Sequence, residues 1–284
     1  MTLPATAPPL WPEPTSRPGP AAFLRRMWGL MLRHIYLYMG SWPRLVEMIY
    51  WPTINILMFG FLSLNVLRTM TDAQVLYSVM VAGVLLNEVQ IRNSQGMMLL
   101  FLEEIWSRNL GHLFASPMSF ANYAAGVIGL SLLRTAIAIV PTVYIAKYLF
   151  GYDLLSLGWP LALYVPLLIL NGWWMGIMIV SLLLRYGLAA EWLTWMGIWL
   201  LVPMMCPYYP VSVLPQALQA VAWSLPGTYV FESMKSLIGG HGPAAHNLII
   251  ALGLNLVWFL AALLVFRLAW QSARKAGRLL QMGE

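Results

Sequence analysis

Charge is scarce in this sequence: Asp, Glu, Lys and Arg together make up 9% of its 284 residues, while 60% are hydrophobic. Soluble domains carry about 25% charged residues, so this chain has too little polar surface to cover itself in water. The composition excludes a soluble globular protein and predicts an all-α polytopic membrane protein. No polar stretch is long enough to fold around a second core, so we expect one membrane domain.

Residues that carry chemistry are also few. A single cysteine, Cys206, excludes an internal disulfide and a cysteine-based metal site. The sequence has no phosphate-binding glycine loop, and no histidine at membrane depth could serve a catalytic serine. The four histidines are not spaced to share one helical face: His34, His112, His241 and His246. We therefore predict no catalytic residue, no metal and no cofactor bound by this chain.

The ends of the chain differ in composition from its middle. Residues 1–20 are rich in proline and have no apolar signal-peptide core, so we expect a disordered lead-in. Residues 21–41 mix arginines with aromatic and aliphatic residues, which predicts an amphipathic helix at the cytoplasmic interface. The alternative is a simple extension of the first membrane span. Residues 273–284 are basic and predict a cytoplasmic tail.

The middle of the chain, residues 42–272, contains six windows with little or no charge. A helix needs about 20 apolar residues to cross the hydrocarbon core. The predicted spans are 48–67, 73–102, 119–146, 154–184, 192–209 and 247–266. Several prolines follow the fifth window, and they favour a re-entrant or interfacial segment over 211–240 rather than a seventh span.

The basic residues predict the orientation of these spans. With six spans, most Lys and Arg residues fall on the side that holds both chain ends. The positive-inside rule then places both termini in the cytoplasm, and we expect the chain to lie in the inner membrane. Basic residues near helix ends suit anionic lipid headgroups, so membrane lipid is expected as a partner and nucleic acid is not.

The segment FLEEIWSRNLGHLFASPM, residues 101–118, follows the second predicted span. Its apolar residues recur at roughly helical spacing, it begins with Glu103 and Glu104, and Ser116 and Pro117 stop the pattern. This predicts a short amphipathic helix over 101–115. Anionic headgroups would repel its acidic residues, which favours a protein partner on the cytoplasmic side.

At these residues the sequence resembles the membrane subunit of type-2 ABC exporters, the bacterial drug, lipid and polysaccharide export permeases. The first match is the acidic pair, the helix and the Ser-Pro turn. The second is the run before the last span, in which Gly227 stands where leucine is common and Lys235 where arginine is common. This run supplies the candidate outer lid: Pro210, Pro215, Pro226, Tyr229 and Glu232. The resemblance covers about residues 20–275.

The resemblance implies a permease that exports a drug, lipid, glycan or other amphiphile. Two copies of the chain would work with two separate ATPase subunits, which hold ATP and Mg, so the chain itself is not an enzyme. The helix at 101–115 would be the coupling helix seated in the ATPase subunit. Its candidate coupling residues are Glu103, Glu104, Trp106, Arg108 and His112. The alternatives are an ion-coupled secondary transporter, which usually shows an internal repeat, and an intramembrane enzyme.

Ionisable residues inside the predicted spans are functional candidates because burying a lone charge is costly. Glu88 and Arg134 lie at matching depths along their helices, which predicts an ion pair. Arg92, four residues after Glu88, is the competing partner. We expect a structural rather than a transport role. The substrate-pathway candidates are Asn55, Asn65, Asn87, Gln90, Trp195 and Trp199, with interhelical hydrogen bonding and packing as the alternative roles.

Overall fold

The computed structural model of the protein describes residues 19–70, 73–107, 120–187 and 191–275. Within these ranges the chain is all-helical, with nine α-helices and no strand, so the predicted all-α class is confirmed. The helices are α1 Pro20–Met39, α2 Trp42–Thr69, α3 Gln74–Trp106, α4 Phe120–Phe150, α5 Leu161–Tyr186, α6 Glu191–Met204, α7 Gln216–Trp223, α8 Pro226–Ile238 and α9 Ala245–Lys275. Single 3₁₀ turns lie at Leu154–Leu157 and Val211–Val213.

Five of these helices, α2, α3, α4, α5 and α9, are long and apolar enough to cross a membrane. The shortest, α5, has 26 residues and extends about 39 Å, which exceeds the roughly 30 Å of a hydrocarbon core. The five helices indicate a multi-pass membrane protein and coincide with the first four predicted spans and the last one. The 3₁₀ turn before α5 lies where the sequence predicted an interfacial lead-in.

The predicted fifth span contains a shorter helix. Helix α6 has 14 residues and extends about 21 Å, less than the thickness of the core. Pro203 lies in its last turn, and Cys206 adopts a left-handed conformation with φ 52°. Proline and a left-handed residue both stop a helix, so the chain leaves the helical path after Met204.

Prolines also divide the segment between α6 and α9. Pro210 precedes a 3₁₀ turn, Pro215 precedes α7, and Pro226 is the first residue of α8. Proline suits the first helical turn, where its missing N–H leaves no bond unmade. The predicted 211–240 segment is therefore a pair of short helices joined at Ser224 and Leu225.

Helix α3 is the central element and packs against α2, α4, α5 and α8. Its closest neighbour is α5, because α5 has glycines where the two backbones meet. A Cβ at Gly172 would lie 2.5 Å from the Gln90 carbonyl oxygen, and one at Gly176 would lie 2.9 Å from that of Ser94. Small residues at such positions let membrane helices approach closely, and α9 packs on the other side of α5.

Helix α1 covers the predicted amphipathic segment and lies against α4. Leu30, His34 and Tyr38 are buried at intervals of four residues, so they form one packed face. A Cβ at Gly126 of α4 would lie 2.6 Å from Leu30, which shows how closely the two helices approach. The other side of α1 exposes aromatic residues, including Tyr36 at 67%.

The end of α3 differs from the prediction. Residues 101–106 continue α3 without a break, so a separate helix over 101–115 does not begin at residue 101. The physical reason is that Phe101, Leu102 and Ile105 are buried and extend the apolar core face of α3. The remaining residues of the predicted coupling helix, including Arg108 and His112, lie outside the described residues.

Candidate functional site

The acidic pair at the end of α3 is largely buried. Glu104 is fully buried and accepts two hydrogen bonds from the guanidinium of Arg33 on α1, at 2.8 and 3.2 Å. His34 Nε2 lies 3.5 Å from the same carboxylate, while its Nδ1 lies 3.1 Å from the Leu30 carbonyl oxygen. A carbonyl can only accept, so Nδ1 carries the proton in this contact. Glu104 thus fixes α1 onto α3.

The neighbouring acid, Glu103, joins a third helix to the same cluster. The Tyr38 hydroxyl donates to Glu103 at 3.3 Å and accepts from Nη1 of Arg134 on α4 at 2.6 Å. Arg134 Nη1 lies 3.7 Å from Glu103, and its guanidinium lies over the Tyr38 ring at 5.0 Å, a cation–π geometry. Burial raises the pKa of Tyr38 to about 12, so the phenol stays neutral and keeps its proton for Glu103.

We call these residues the junction cluster: Arg33, His34, Tyr38, Glu103, Glu104 and Arg134. They join α1, α3 and α4 near the Trp106 end of α3. The sequence predicted that the two acidic residues face a partner, but their carboxylates contact residues of the chain itself. Of the candidate coupling residues that the structure describes, Trp106 is the one with a largely free side chain, 50% exposed.

A second charge cluster lies in the middle of α3. Arg92 Nε donates to Glu88 Oε2 at 2.8 Å, and Asn55 of α2 donates to Glu88 Oε1 at 2.6 Å. The expected pair between Glu88 and Arg134 is thus replaced by the competing pair, and Arg134 contacts Glu103 instead. Matching depth was not sufficient, because Glu88 faces α2 while the Arg134 side chain extends towards the Trp106 end of α3.

A chain of buried amides lies next to this pair. Asn171 of α5 donates to Gln90 Oε1 at 2.9 Å, Gln90 donates to Asn87 at 3.0 Å, and Asn87 donates to the Tyr208 hydroxyl at 3.0 Å. Asn87, Gln90 and Asn171 are fully or almost fully buried, so they bond helices together. Sequence reasoning missed Asn171, although an isolated amide in an uncharged window was a usable signal.

Asn65, another pathway candidate, is exposed on α2. Its carbonyl oxygen accepts a 2.8 Å hydrogen bond from the Thr69 hydroxyl.

The segment after α6 is fastened to α8 by one ion pair. Lys235 Nζ donates to Glu232 at 2.7 Å and to the carbonyl oxygens of Cys206 and Tyr209 at 3.0 and 2.7 Å. Glu232 also accepts from the Val211 N–H at 3.1 Å. Burial lowers the pKa of Lys235, and the Glu232 carboxylate opposes that shift. Of the lid candidates, Glu232 therefore has the clearest structural role.

Two other lid residues are positioned by packing. The Tyr229 ring lies 5.0 Å from that of Trp223, and Pro226 begins α8 next to Gly227. A Cβ at Gly227 would lie 2.6 Å from Met205 Sδ. A leucine at this position would therefore require the Met205 side chain to move.

An open cavity of about 390 Å³ lies between α2, α3, α4 and α6. Arg92 and Arg134, the basic members of the two charge clusters, both line it. Two of the predicted pathway residues, Trp195 and Trp199 of α6, line it as well, together with Trp51 of α2. The cavity brings together residues that the sequence offered for different roles.

The five long apolar helices indicate a multi-pass α-helical membrane protein, and an open cavity lined by two arginines lies between four of its helices. In the described part of the chain, His, Cys, Asp and Glu side chains form no group that could hold a metal ion. No protein-family model matches the chain, and no curated protein matches it. The resemblance to export permeases therefore rests on the sequence motifs alone.

Proposed function

We propose that this protein is the permease subunit of an ABC exporter in the bacterial inner membrane. Two copies work with two ATPase subunits, which bind ATP and Mg, and carry an amphiphile outward. The observation that supports this most is the junction cluster, because it joins α1 and α4 to the last turns of α3, the helix that precedes the 108–119 segment in the chain. An ATPase subunit that binds this segment would therefore move α1, α3 and α4 together.

Transmission of force requires rigid connections. Helix α3 is continuous over 33 residues, or about 50 Å, so a displacement at Trp106 reaches its other end. Glu104 and Arg33 hold α1 to that helix through two charge-assisted hydrogen bonds, which are stronger than neutral ones. Helix α3 also contributes Arg92 to the cavity. A rigid-body movement at one end therefore changes the shape of the cavity.

The proposed topology has six crossings, of which the fifth is part helix and part irregular chain. After α6, residues 205–208 follow α3: Met205 Sδ accepts from Gln90, Tyr208 bonds Asn87, and a Cβ at Gly83 would overlap the Pro207 carbonyl oxygen. Gln90 and Gly83 are about 10 Å apart along α3. Added to the roughly 21 Å of α6, this spans a core of about 30 Å.

This topology puts both chain ends, α1 and the 108–119 segment on one side. The excess of basic residues on that side makes it cytoplasmic. Helices α7 and α8 then form a re-entrant outer lid: Gly227 at the start of α8 lies beside Gln90, near the midpoint of α3. Irregular backbone at such depth is tolerated because it packs against protein.

A second copy of the chain is proposed to pack along α2 and α6. These two cavity-lining helices also expose large apolar residues, among them Trp51, Met58 and Phe61 on α2 and Trp192, Met196 and Leu200 on α6. Two-fold symmetry is the commonest arrangement for soluble oligomers of one chain, and it would place the two cavities across a shared interface.

The test uses the permease co-expressed with the candidate ATPase subunit of the same bacterium. We expect the purified complex to hydrolyse ATP and the Trp106→Ala variant to lose most of this activity, since Trp106 is exposed and stands two positions before the proposed docking segment in the sequence. Trp159→Ala is the matched control, because Trp159 is also exposed, at 69%, but lies at the other end of the bundle. Equal hydrolysis by both variants, or no complex at all, would contradict the proposal.

A further inference from the structure

The cavity between α2, α3, α4 and α6 combines cationic and aromatic side chains. Arg92 comes from α3 and Arg134 from α4, while Trp51 comes from α2 and Trp195 and Trp199 from α6. Its volume of about 390 Å³ falls within the range of small-molecule pockets, roughly 300–1,000 Å³. The two arginines are largely buried, with side chains 10% and 12% exposed.

Arg92 has a donor without an acceptor. Its Nε bonds Glu88, but its Nη2 is buried and has no hydrogen-bond partner among the residues that the structure describes. A guanidinium presents five N–H donors, and a buried donor left without an acceptor is costly. An acceptor supplied from within the cavity would remove that cost.

Charge favours a negatively charged acceptor. Glu47 is the single acidic residue that lines the cavity, and it is exposed on α2, whereas both arginines lie deeper. Arg134 Nη1 forms its hydrogen bond with the neutral Tyr38 hydroxyl at 2.6 Å, while its ion pair with Glu103, at 3.7 Å, is too long for a hydrogen bond. A cationic ligand would meet two guanidinium groups here, whereas an anion would meet their donors.

The tryptophans determine the rest of the ligand. Trp51 and Trp199 are 50% and 46% exposed, so their rings offer apolar surface that the chain itself does not cover. Indole rings contribute large apolar contact areas. We infer that the cavity binds an amphipathic anion, with a carboxylate, sulfate or phosphate group at Arg92 and Arg134 and an apolar body against the tryptophans. The inference that this anion is the exported cargo rests on the proposed export function. The inference that the cavity binds such an anion does not depend on that function.

A pair of brominated amphiphiles tests the sign of the charge. The protein is placed in phosphatidylcholine nanodiscs and titrated with 11-bromoundecanoate or with (11-bromoundecyl)trimethylammonium, because bromine quenches tryptophan fluorescence on contact. The anion is expected to quench the fluorescence of the wild-type protein saturably. The cation is expected to quench the wild-type protein no more than it quenches a Trp199→Phe variant, which lacks one of the cavity tryptophans. Saturable quenching by the cation, or none by the anion, would overturn the inference.

Variants of the arginines locate the site. The double variant Arg92→Gln with Glu88→Gln removes the guanidinium without leaving a buried carboxylate unpaired, and about tenfold weaker anion binding or more is expected. Arg134→Gln should weaken anion binding to a similar extent. This single variant provides the test if the double variant does not fold. Arg267→Gln is the control, since Arg267 is exposed on α9. Wild-type affinity in the folded cavity variants would overturn the site.

Two further measurements distinguish a lipid from a dissolved anion, and the anion-binding inference from the export proposal. Displacement of the probe by added phosphatidylglycerol assigns the site to a membrane lipid, and its failure assigns the site to a dissolved amphiphile; both support the anionic site. If the anion binds but no ATPase subunit associates, the inference stands and the export proposal fails. If ATP is hydrolysed by the complex but the anion does not bind, the inference alone fails.

Discussion

Two adjacent acidic residues at the end of α3 have different environments. Glu104 is fully buried and contacts Arg33 and His34, whereas the Glu103 side chain is 12% exposed and reaches Arg134 and Tyr38. Neighbouring positions on a helix point about 100° apart, so the two carboxylates have different partners: Glu104 binds Arg33 of α1, whereas Glu103 contacts both Tyr38 of α1 and Arg134 of α4. The sequence marked both residues as important, but it could not give their partners: those on α1 are 65 or more positions away in the chain, and all of the contacts depend on how the helices pack.

The contact between Arg33 and Glu104 is expected to act as a coupled pair. Glu104→Gln should lower the stability by about 1–3 kcal/mol, the usual effect of losing hydrogen bonds to a charged group. Arg33→Gln alone should also destabilise, and the double variant should lose less than the sum, because each single change leaves one charge unpaired. Thermal unfolding of the purified protein in detergent measures all three variants.

The control for this cycle is the pair of Lys147 and Asp153. Its Nζ–Oδ2 distance is also 2.8 Å, but both side chains are at least 40% exposed. Exposed pairs contribute little, so Lys147→Gln should leave the unfolding temperature almost unchanged. Strict additivity in the Arg33 and Glu104 cycle would show that the two residues do not interact.

At the scale of helices, the hydrophobicity of the sequence predicted which helices exist and where they lie in the chain better than it predicted the contacts between them. The windows at 48–67 and 247–266 correspond to helices α2 and α9, since a long uncharged run has few alternatives to a membrane helix. Helix α6 is shorter than its predicted window, 192–209, because Pro203 and Pro207 lie in the second half of that window and end the helix at Met204. The rotation of each helix about its axis depends on packing, which is why the Glu88 and Arg134 pair was predicted but not formed.

The close approach of α3 and α5 gives a prediction about glycine. Gly172→Ala places a Cβ 2.5 Å from a backbone oxygen of α3, and backbone cannot move aside as a side chain can. We expect a loss of about 1–3 kcal/mol, seen as a lower unfolding temperature. Gly253→Ala on α9 has no atom within 4 Å of the new Cβ and should be neutral or stabilising, because alanine is the better helix former. Equal effects of both changes would contradict the close packing.

At the scale of the whole molecule, three polar features lie along α3. The junction cluster is at its Trp106 end, the Glu88–Arg92 pair is near its middle, and the amide chain from Asn171 to Tyr208 joins the middle of α3 to the chain after α6. The sequence supplied most of these residues as separate candidates. The cavity that unites Arg92, Arg134 and the tryptophans could not be predicted, because it depends on the gaps between four helices.

The most direct test of the proposed export function is the accessibility of residue 112 to a labelling reagent. The proposal requires this residue to lie on the cytoplasmic side and to be covered by an ATPase subunit. A His112→Cys variant is labelled with a membrane-impermeant maleimide in intact cells and in inside-out vesicles; buried Cys206 is the internal control. We predict labelling in inside-out vesicles only, and protection when the ATPase subunit is co-expressed. Labelling in intact cells, or no protection by the ATPase subunit, would contradict the account.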